Sequence, residues 1–303
     1  MIKDILPKFR LKGKVRNTLS LTAAYVLLSI FGFVFVYPLI YILLTSFMPP
    51  EDMFNPTVNL IPSLFTVENY ALIFSRIRFF QSIGYSLFLS GVSSLLQALA
   101  CGLMGYALSR YNFKLKKLYI ALTLICFIIP SQITMIPTYL GFSRLRLIGS
   151  PLSFFIPAIL GQGFKSPIFI LIFFSFFNTI PRALDEAGQI DGAPPVIIFF
   201  RILVPLALPA FVLTFLFSFV WYWNETYLTV IYIGNSAKTL LNQIAGVLST
   251  LENEAIRDPI AAKINVPVKM ASAALCIAPL LAIYLVMQRQ FVESVDRAGI
   301  TGE

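Results

Sequence analysis

Long apolar runs limit what this chain can fold into more than any other feature of the sequence. The first of them covers residues 21–47 and contains no charged side chain. A helix needs about 20 apolar residues to cross a bilayer. The runs are continuous rather than alternating, which argues against a β-barrel, and backbone groups in lipid need partners within their own segment. We therefore expect an all-α polytopic membrane protein.

The composition supports a lipid environment. Hydrophobic residues make up 58% of the 303 residues and charged residues 12%, against about 45–50% and about 25% in soluble domains. The net charge of +9 is typical of basic cytoplasmic loops in a membrane protein, so we do not expect a nucleic-acid partner. The chain has no His, which excludes imidazole metal sites and His general bases.

We predict about six transmembrane helices. Pro130 and Pro137 interrupt the third, and proline kinks a helix by removing a hydrogen bond. Lys165 lies within the fourth, which suggests a re-entrant piece followed by a helix. A short amphipathic helix is expected at residues 65–74. The six spans lie at about residues 21–46, 81–108, 118–140, 152–177, 206–233 and 267–287.

The distribution of basic residues predicts the orientation. Lys and Arg are concentrated before the first span and in the short loop at residues 110–117. Under the positive-inside rule, both places are cytoplasmic. We therefore divide the chain into a basic cytoplasmic N-terminus (1–20), a transmembrane domain (21–290) and a cytoplasmic tail (291–303).

A polar island at residues 181–209 separates two long apolar segments. Three acids, Asp185, Glu186 and Asp191, lie close together in it. We predict a short helix at residues 182–190, a turn at Gly192, since glycine tolerates positive φ, and a second short helix at residues 196–201. One stripe of the first helix is apolar: Ala183, Leu184, Ala187 and Ile190.

Two interpretations of this island are open, a loop lying on the membrane surface and a docking surface. Interfacial helices favour a polar face rich in Lys and Arg, and this polar face is acidic, which favours docking. The spacing of the island resembles the EAA loop of ABC importer permeases: Glu186-Ala187-Gly188, three residues, Gly192, nine residues, then Ile202-Leu203-Val204-Pro205. Gly188 and Val204 depart from the Ala and Leu of that motif.

Other segments resemble the carbohydrate-uptake branch of the same family and follow in the same order. Together they extend the resemblance over about residues 20–290. It implies a type I ABC importer permease fold with both termini cytoplasmic, in the cytoplasmic membrane of a bacterium or archaeon. The segments are Glu68-Asn69-Tyr70, the run from Gly105 to Tyr111, Ile136-Pro137-Thr138-Tyr139 and Trp223-Asn224-Glu225.

The resemblance implies that the loop at residues 181–205 docks on a cytoplasmic ATPase subunit, with Asp185 or Glu186 pairing with basic residues there. It also implies a second homologous permease subunit, two copies of the ATPase, an extracellular or periplasmic solute-binding protein and a carbohydrate substrate. The chain has no phosphate-binding G-x-x-x-x-G-K-[ST] loop, so ATP and Mg would bind the ATPase and this chain would bind no cofactor and not be an enzyme. The expected coupling residues are Asp185, Glu186, Ala187, Gly188, Asp191, Gly192, Ala193 and Pro205.

Polar and aromatic side chains within the spans are candidates for the substrate pathway, because such groups at membrane depth are usually functional. Aromatic rings stack on sugars, and amide or carboxylate groups bind hydroxyls. The alternative for residues 221–227 is an aromatic belt at the membrane interface. The candidates are Gln132, Thr134, Tyr139, Ser218, Trp221, Tyr222, Trp223, Asn224 and Glu225.

Three other functions are weighed against a carbohydrate permease. An ABC permease for another solute would use the same scaffold. A secondary transporter or channel needs buried ionisable residues, and the spans offer essentially Glu225 and Lys165. A membrane-embedded enzyme is disfavoured because the chain has no His and no paired intramembrane carboxylates.

Overall fold

The computed structural model describes residues 6–234, 238–257 and 259–297. These ranges are largely helical and contain no β-strand, which confirms the all-α prediction. A π-helical turn, Phe199–Leu203, joins α9 to α10. The helices are α1 (Leu6–Ser46), α2 (Glu68–Arg76), α3 (Phe79–Arg110), α4 (Lys116–Ile128), α5 (Ser131–Arg144), α6 (Leu152–Ile159), α7 (Ser166–Thr179), α8 (Ala183–Ile190), α9 (Pro195–Ile198), α10 (Val204–Leu206), α11 (Leu208–Asn224), α12 (Tyr227–Ile233), α13 (Leu240–Arg257) and α14 (Pro259–Arg297).

Helices that can cross a membrane are fewer than six if each must be unbroken. Within the described ranges, three single helical segments are long and apolar enough: Leu21–Ser46 in α1, all of α3, and Asn265–Arg289 in α14. The number rises to six if each of three bent helix pairs is counted as one span. The predicted first, second and sixth spans therefore correspond to continuous helices.

The predicted third and fourth spans are broken. Ile129, directly before Pro130, has an extended backbone with ψ 121°, so α4 ends there, because a residue before proline is pushed out of the helical region. Pro137, by contrast, lies inside α5 without ending it. The fourth span is divided into α6 and α7 by residues 160–165, and Lys165 adopts a left-handed backbone with φ 57°. The predicted break near Lys165 is confirmed.

The predicted fifth span is also two helices rather than one. It breaks at Glu225 and Thr226, between α11 and α12. The cause is local, because the Glu225 backbone is extended, with ψ 100°, and its side chain bonds to the start of the next helix. The prediction of one continuous helix over residues 206–233 was wrong.

One compact unit comprises, among the described residues, 6–73, 250–257 and 259–275. In this unit, two adjacent side chains of α2 form hydrogen bonds with residues at the end of α1. Asn69 Nδ2 donates to the carbonyls of Ser46 and Met48, both at 2.9 Å. The Tyr70 hydroxyl lies 2.7 Å from Ser46 Oγ. The Asn-Tyr pair in this sequence thus fixes the chain after the first span.

The second compact unit comprises the described residues 74–234, 238–249 and 276–297. Its central helix is α3, which packs against α6, α7 and α11. Glycine lets two backbones approach here: a Cβ at Gly105 would lie 2.8 Å from the backbone nitrogen of Phe174 in α7. Most small residues of this helix are buried in the bundle, which lets membrane helices pack closely: Ser93, Ser94, Ala98, Ala100, Gly102 and Gly105.

An aromatic cluster fills the core of this unit near the polar island. Tyr106 of α3 lies 5.2 Å from Phe199, and Phe177 of α7 lies 6.2 Å from Phe199, measured between ring centroids. Phe211 of α11 closes the cluster, with its centroid 4.5 Å from that of Phe173. Since Phe199 is fully buried, the second half of the island is anchored in the packing of the spans.

Candidate functional site

The polar island folds as two short helical segments around Gly192, as predicted. Gly192 has φ +74°, a conformation that glycine adopts without the steric cost of a side chain. Its N–H donates to the Gln189 carbonyl at 3.0 Å, and the Ala193 N–H donates to the Gly188 carbonyl at 2.9 Å. This pair of bonds is the Schellman motif that ends a helix with a left-handed residue. The loop is therefore an ordered element.

Both halves of the loop turn sharply away from the spans that flank them. The axis of α8 makes an angle of 78° with that of α7, and the segment Pro195–Leu206 makes 81° with α11. Pro194 and Pro195 stand where the second segment begins, positions at which a missing N–H costs nothing. The two segments therefore lie across the ends of α7 and α11.

One face of α8 packs on its own chain through Asp185 and Gly188, both buried. A Cβ at Gly188 would lie 3.0 Å from Ile198 Cγ1 and 3.3 Å from Ile202 Cδ1. Gly188 thus allows α8 to approach the second segment closely. An alanine, which the EAA motif has at this position, would require the two isoleucines to shift by a few tenths of an ångström.

The buried carboxylate of Asp185 faces Arg110, the last residue of α3. Arg110 Nε lies 3.0 Å from Asp185 Oδ2, and the two side chains are 7% and 9% exposed. Neither Asp185 oxygen has a well-aligned hydrogen-bond donor among the described residues. Burial therefore raises the pKa of Asp185 above its ordinary value, and the Arg110 charge opposes this only in part.

The opposite face of α8 is exposed and apolar. Leu184 is 39% exposed and Ile190 is 86% exposed. Glu186, Ala187 and Gln189 are exposed beside them. The apolar stripe predicted from the sequence therefore lies on the surface rather than in the core. A stripe of this kind on a well-ordered helix is typical of a surface that another protein covers.

The remaining predicted coupling residues are distributed around the turn. Asp191 is exposed and ends α8, and its N–H donates to the Ala187 carbonyl at 3.0 Å. Ala193 is half-buried and packs against the aromatic cluster. Pro205 is exposed in α10. The structure thus gathers the predicted residues in one loop, with Asp185, Gly188 and Ala193 on its inner side.

Eight of the nine predicted pathway residues fall into an exposed group and a buried group. Gln132, Thr134 and Tyr139 of α5 are exposed, as are Trp221 and Asn224 of α11. The others on α11 lie inside the chain: Ser218 and Tyr222 are buried, and buried Trp223 donates from Nε1 to the Cys276 carbonyl at 3.2 Å. Only the first group can meet a solute in this conformation.

Glu225 has a structural role at the break between α11 and α12. Its Oε1 accepts a hydrogen bond from the Leu228 N–H at 2.8 Å, in the first turn of α12. Thr229 Oγ1 donates to the Glu225 carbonyl at 2.5 Å. A carboxylate at a helix start satisfies a free N–H and interacts favourably with the helix dipole. Half-buried Glu225 therefore caps α12.

Sequence reasoning did not select Arg110 or Lys165 as site residues. Arg110 was counted in a basic loop and in the family-like run from Gly105 to Tyr111, without a role of its own, although it is the last residue of the long helix α3. The Lys165 ammonium lies 5.4 Å from the Trp221 ring centroid and 5.9 Å from that of Phe127. The signal available in the sequence was a single Lys inside a predicted span.

The described part of the chain contains no group of three His, Cys, Asp or Glu residues able to hold a metal ion. The buried carboxylate Asp185 is matched with a guanidinium rather than with further acids. The ordered features of the site are thus an exposed apolar face on α8, an internal ion pair, and exposed aromatic and polar side chains on α5 and α11.

Known proteins are similar to this chain in sequence. The family model of the binding-protein-dependent transport system inner membrane component matches residues 98–297. The polygalacturonan/rhamnogalacturonan transport system permease protein YtcP of Bacillus subtilis (strain 168) is 29% identical over 295 residues, covering 95% of this chain and 100% of that protein. The arabinooligosaccharides transport system permease protein AraQ of Halalkalibacterium halodurans is 28% identical over 275 residues, covering 89% and 93%.

A solved structure has the same fold. It is the crystal structure of a bacterial ABC transporter involved in the import of the acidic polysaccharide alginate, one chain of which superimposes with a TM-score of 0.72 at 22% identity. The match covers 91% of this chain and 98% of that chain. Since the family model matches well over half of the residues, the chain belongs to the family of binding-protein-dependent transport system inner membrane components.

Proposed function

We propose that this chain is the membrane-spanning permease subunit of an ATP-driven importer of a sugar or oligosaccharide. Membership of the family supports a transport role. The names of the similar permeases AraQ and YtcP, which refer to arabinooligosaccharides and to polygalacturonan/rhamnogalacturonan, support a carbohydrate. Two segments of this sequence that resemble the carbohydrate-uptake branch, Asn69-Tyr70 and the EAA-like loop, are ordered elements of the fold.

One observation carries the proposal of a coupling role. It is the exposed apolar face of α8, on a helix whose other face is fixed to the spans. A helix that only connected two spans would not need a Schellman turn, a buried ion pair and an outward row of apolar side chains. We assign this face as the docking surface for the ATPase, with Glu186 beside it for a basic residue of that subunit.

The subunits implied are those of the family resemblance. A second related permease would complete the pathway, two ATPase copies would bind and hydrolyse ATP with Mg, and a solute-binding protein would deliver the substrate from outside. In this arrangement six spans cross the cytoplasmic membrane, and residues 1–20 and 291–303 are cytoplasmic. This chain itself performs no covalent chemistry.

The loop transmits movement because it is attached at two places. Phe199 and Leu203 are fully buried among the aromatic side chains of the spans. Asp185 is held against the end of α3 by Arg110. When the ATPases close, a displacement of α8 is therefore passed to α3, α7 and α11 together. Binding energy in the ATPases thereby changes the balance between inward- and outward-open states.

For the substrate pathway we propose the exposed side chains on two helices: Trp221 and Asn224 on α11, and Gln132, Thr134 and Tyr139 on α5. Trp221 and Asn224 are three residues apart on α11 and so share one face of that helix. Ser218, Tyr222 and Trp223 support these residues from within the packing. Glu225 orients the start of α12 beside them.

The docking assignment is tested by placing a charge on the exposed face of α8. In Ile190→Asp we expect the ATPase subunit to co-purify poorly and sugar uptake to fall at least tenfold. The matched control is Ile61→Asp, because Ile61 is 69% exposed in a segment far from the loop in sequence. Normal uptake and co-purification in Ile190→Asp would contradict the assignment.

The substrate assignment is tested in vesicles that contain the assembled transporter. Uptake of labelled neutral and acidic trisaccharides is compared with uptake of a labelled dipeptide. We expect ATP-dependent uptake of at least one trisaccharide. Uptake of the dipeptide alone would support the alternative, a permease for another solute.

A further inference from the structure

Lys165 is held in an unusual way at the break between α6 and α7. It is one of two non-glycine residues with positive φ among the described residues, at 57°. Such a backbone is unfavourable for a residue with a side chain unless the surroundings maintain it. Here the surroundings do so, because Gln97 Nε2 donates to the neighbouring Phe164 carbonyl at 2.6 Å. The position of the lysine is thus fixed by buried groups.

The Lys165 ammonium is exposed between two aromatic rings. It lies 5.4 Å from the Trp221 centroid on α11 and 5.9 Å from the Phe127 centroid on α4. Both rings are themselves about half exposed. Within the part of the chain that the structure describes, the two ion pairs are Arg110–Asp185 and Lys269–Glu252, so Lys165 has no carboxylate partner. Its charge is offset only by ring faces.

Two helix lengths give the same depth for this cation. Lys165 directly precedes α7, and the polar loop follows the other end of that helix. Because α7 has 14 residues, the two ends are about 20 Å apart. Trp221 is the fourteenth residue of α11, which begins at Leu208 and likewise extends about 20 Å from its loop end. The hydrocarbon core of a bilayer is about 30 Å thick. Lys165 is thus about 20 Å along α7 from the polar loop, a distance shorter than the thickness of the hydrocarbon core, and a cation within that core is usually functional.

We propose that Lys165 and Trp221 form a binding subsite for an acidic sugar unit, a uronate. An ammonium carries three N–H donors, and a ring contact leaves some of them free for a carboxylate. The exposed part of the indole packs on the apolar side of the sugar ring. Asn224, one helical turn further along the same face, is available for a hydroxyl. This inference rests on the proposed function and specifies its substrate class.

Two other occupants would also place an anion at Lys165. One is the phosphate of a lipid headgroup, to which a lysine near an interface extends. The other is an acidic residue of the second permease subunit. We favour the sugar because the cation is bracketed by half-exposed rings and has an exposed Asn beside it, which a lipid phosphate does not require. Each alternative has its own outcome in the experiment below.

The test uses the assembled transporter with its binding protein in vesicles. Initial rates of ATP-driven uptake are measured for labelled trigalacturonate and for neutral galactotriose, to give KM and the maximal rate. The variants are Lys165→Gln and Lys165→Arg. The matched control is Lys116→Gln, since Lys116 also lies over a ring, 5.9 Å from the Phe174 centroid, but at the start of α4.

We expect Lys165→Gln to raise KM for trigalacturonate about tenfold or more, as for the loss of a hydrogen bond to a charged group. KM for galactotriose should stay as in the wild type. Lys165→Arg should retain most of the affinity for the acidic probe, and Lys116→Gln should match the wild type with both probes.

Four results would overturn the subsite. They are an unchanged KM for trigalacturonate in Lys165→Gln, an equal rise for both probes, an effect that disappears in vesicles without anionic lipid, and loss of the second permease from the purified complex. If the wild type imports galactotriose but not trigalacturonate, this inference fails and the proposed function stands. If it imports neither probe nor any other sugar, the proposed function fails as well.

Discussion

Arg110 and Asp185 form a buried ion pair that joins the end of a membrane-spanning helix to the helix of the polar loop. Arg110 Nε lies 3.0 Å from Asp185 Oδ2. Arg110 Nη2 also donates to the Ile180 carbonyl at 3.0 Å, at the point where α7 has ended. One guanidinium thus contacts α8 and the chain that leads into it. Movement of α8 independent of α3 requires this buried pair to separate.

The two members of the pair should differ in their tolerance of substitution. Arg110→Gln leaves the Asp185 carboxylate buried without a cation, and breaking a buried pair in this way costs about 3–5 kcal/mol. Asp185→Asn leaves the Arg110 guanidinium buried, but Arg110 Nη2 keeps its hydrogen bond to the Ile180 carbonyl and the amide oxygen of Asn can accept from Nε, so we expect a smaller loss of about 1–3 kcal/mol. The thermal midpoint of the purified transporter should therefore fall further in Arg110→Gln.

The matched control for this pair is Asp191→Asn, because Asp191 is exposed in the same loop. Its thermal midpoint should equal that of the wild type. Equal losses in Arg110→Gln and Asp185→Asn would show that the two charges stabilise the fold symmetrically, contrary to the geometry described here.

The raised pKa of Asp185 predicts a dependence of stability on pH. A carboxyl with a higher pKa in the folded state binds its proton more tightly there than in the unfolded chain. Its contribution to stability is therefore complete below the ordinary value of about 4 and is lost as the pH rises through the raised pKa. Thermal midpoints measured from pH 4 upward should show this decrease for the wild type and a smaller one for Asp185→Asn. Parallel pH curves for the two proteins would contradict it.

Substitution of Gly192 should separate ATP hydrolysis from uptake. Its φ of +74° excludes β-branched residues, although a Cβ there would meet no atom within 4 Å. Gly192→Val should therefore disrupt the Schellman turn at a cost of about 1–3 kcal/mol and displace the docking face. We expect uptake to fall at least tenfold while ATP hydrolysis continues.

The control at this position is Gly192→Asn, since Asn is the residue that best tolerates a left-handed backbone. It should retain most of the uptake. If Gly192→Val transports as well as Gly192→Asn does, the turn geometry is not needed for coupling.

The sequence was sufficient to predict the helical class, the loop and its turn, because these depend on local patterns. Unbroken apolar runs specify spanning helices. The turn is specified by Gly192, which follows an amphipathic stretch and precedes Pro194 and Pro195. The apolar stripe of Leu184 and Ile190 was also visible. The exposure of this stripe could not be predicted. A period of 3.6 residues shows that a helix has an apolar face, but it does not show whether that face is buried or on the surface.

The breaks and the internal pairings depended on contacts between distant residues, so the sequence did not reveal them. In the sequence, Glu225 was an acid within a predicted span. Its role as a cap for α12 follows only from the extended backbone at the break and from its bond to the Leu228 N–H. In the sequence, Asp185 was one of three similar acids. Arg110 precedes it by 75 residues, and only the fold brings the two side chains together. The depth of Lys165 likewise depended on where α7 begins.

Gly163 should be essential for the packing around the α6–α7 break. A Cβ at this position would overlap the Tyr222 hydroxyl and lie 2.6 Å from Gln97 Oε1, and both of these groups are buried. Gly163→Ala therefore overpacks the site that holds Lys165, with an expected loss of about 1–3 kcal/mol. A lower thermal midpoint and weaker uptake of the transported sugar are the expected results.

Because removal of the hydroxyl makes room for the new methyl group, Tyr222→Phe in the same chain should restore part of the loss. The control is Gly141→Ala in α5, where a Cβ meets nothing within 4 Å and alanine is the better helix former, so its stability should be unchanged or slightly higher. A Gly163→Ala protein as stable as the wild type would mean that the buried hydroxyl and amide do not fix the backbone at Lys165.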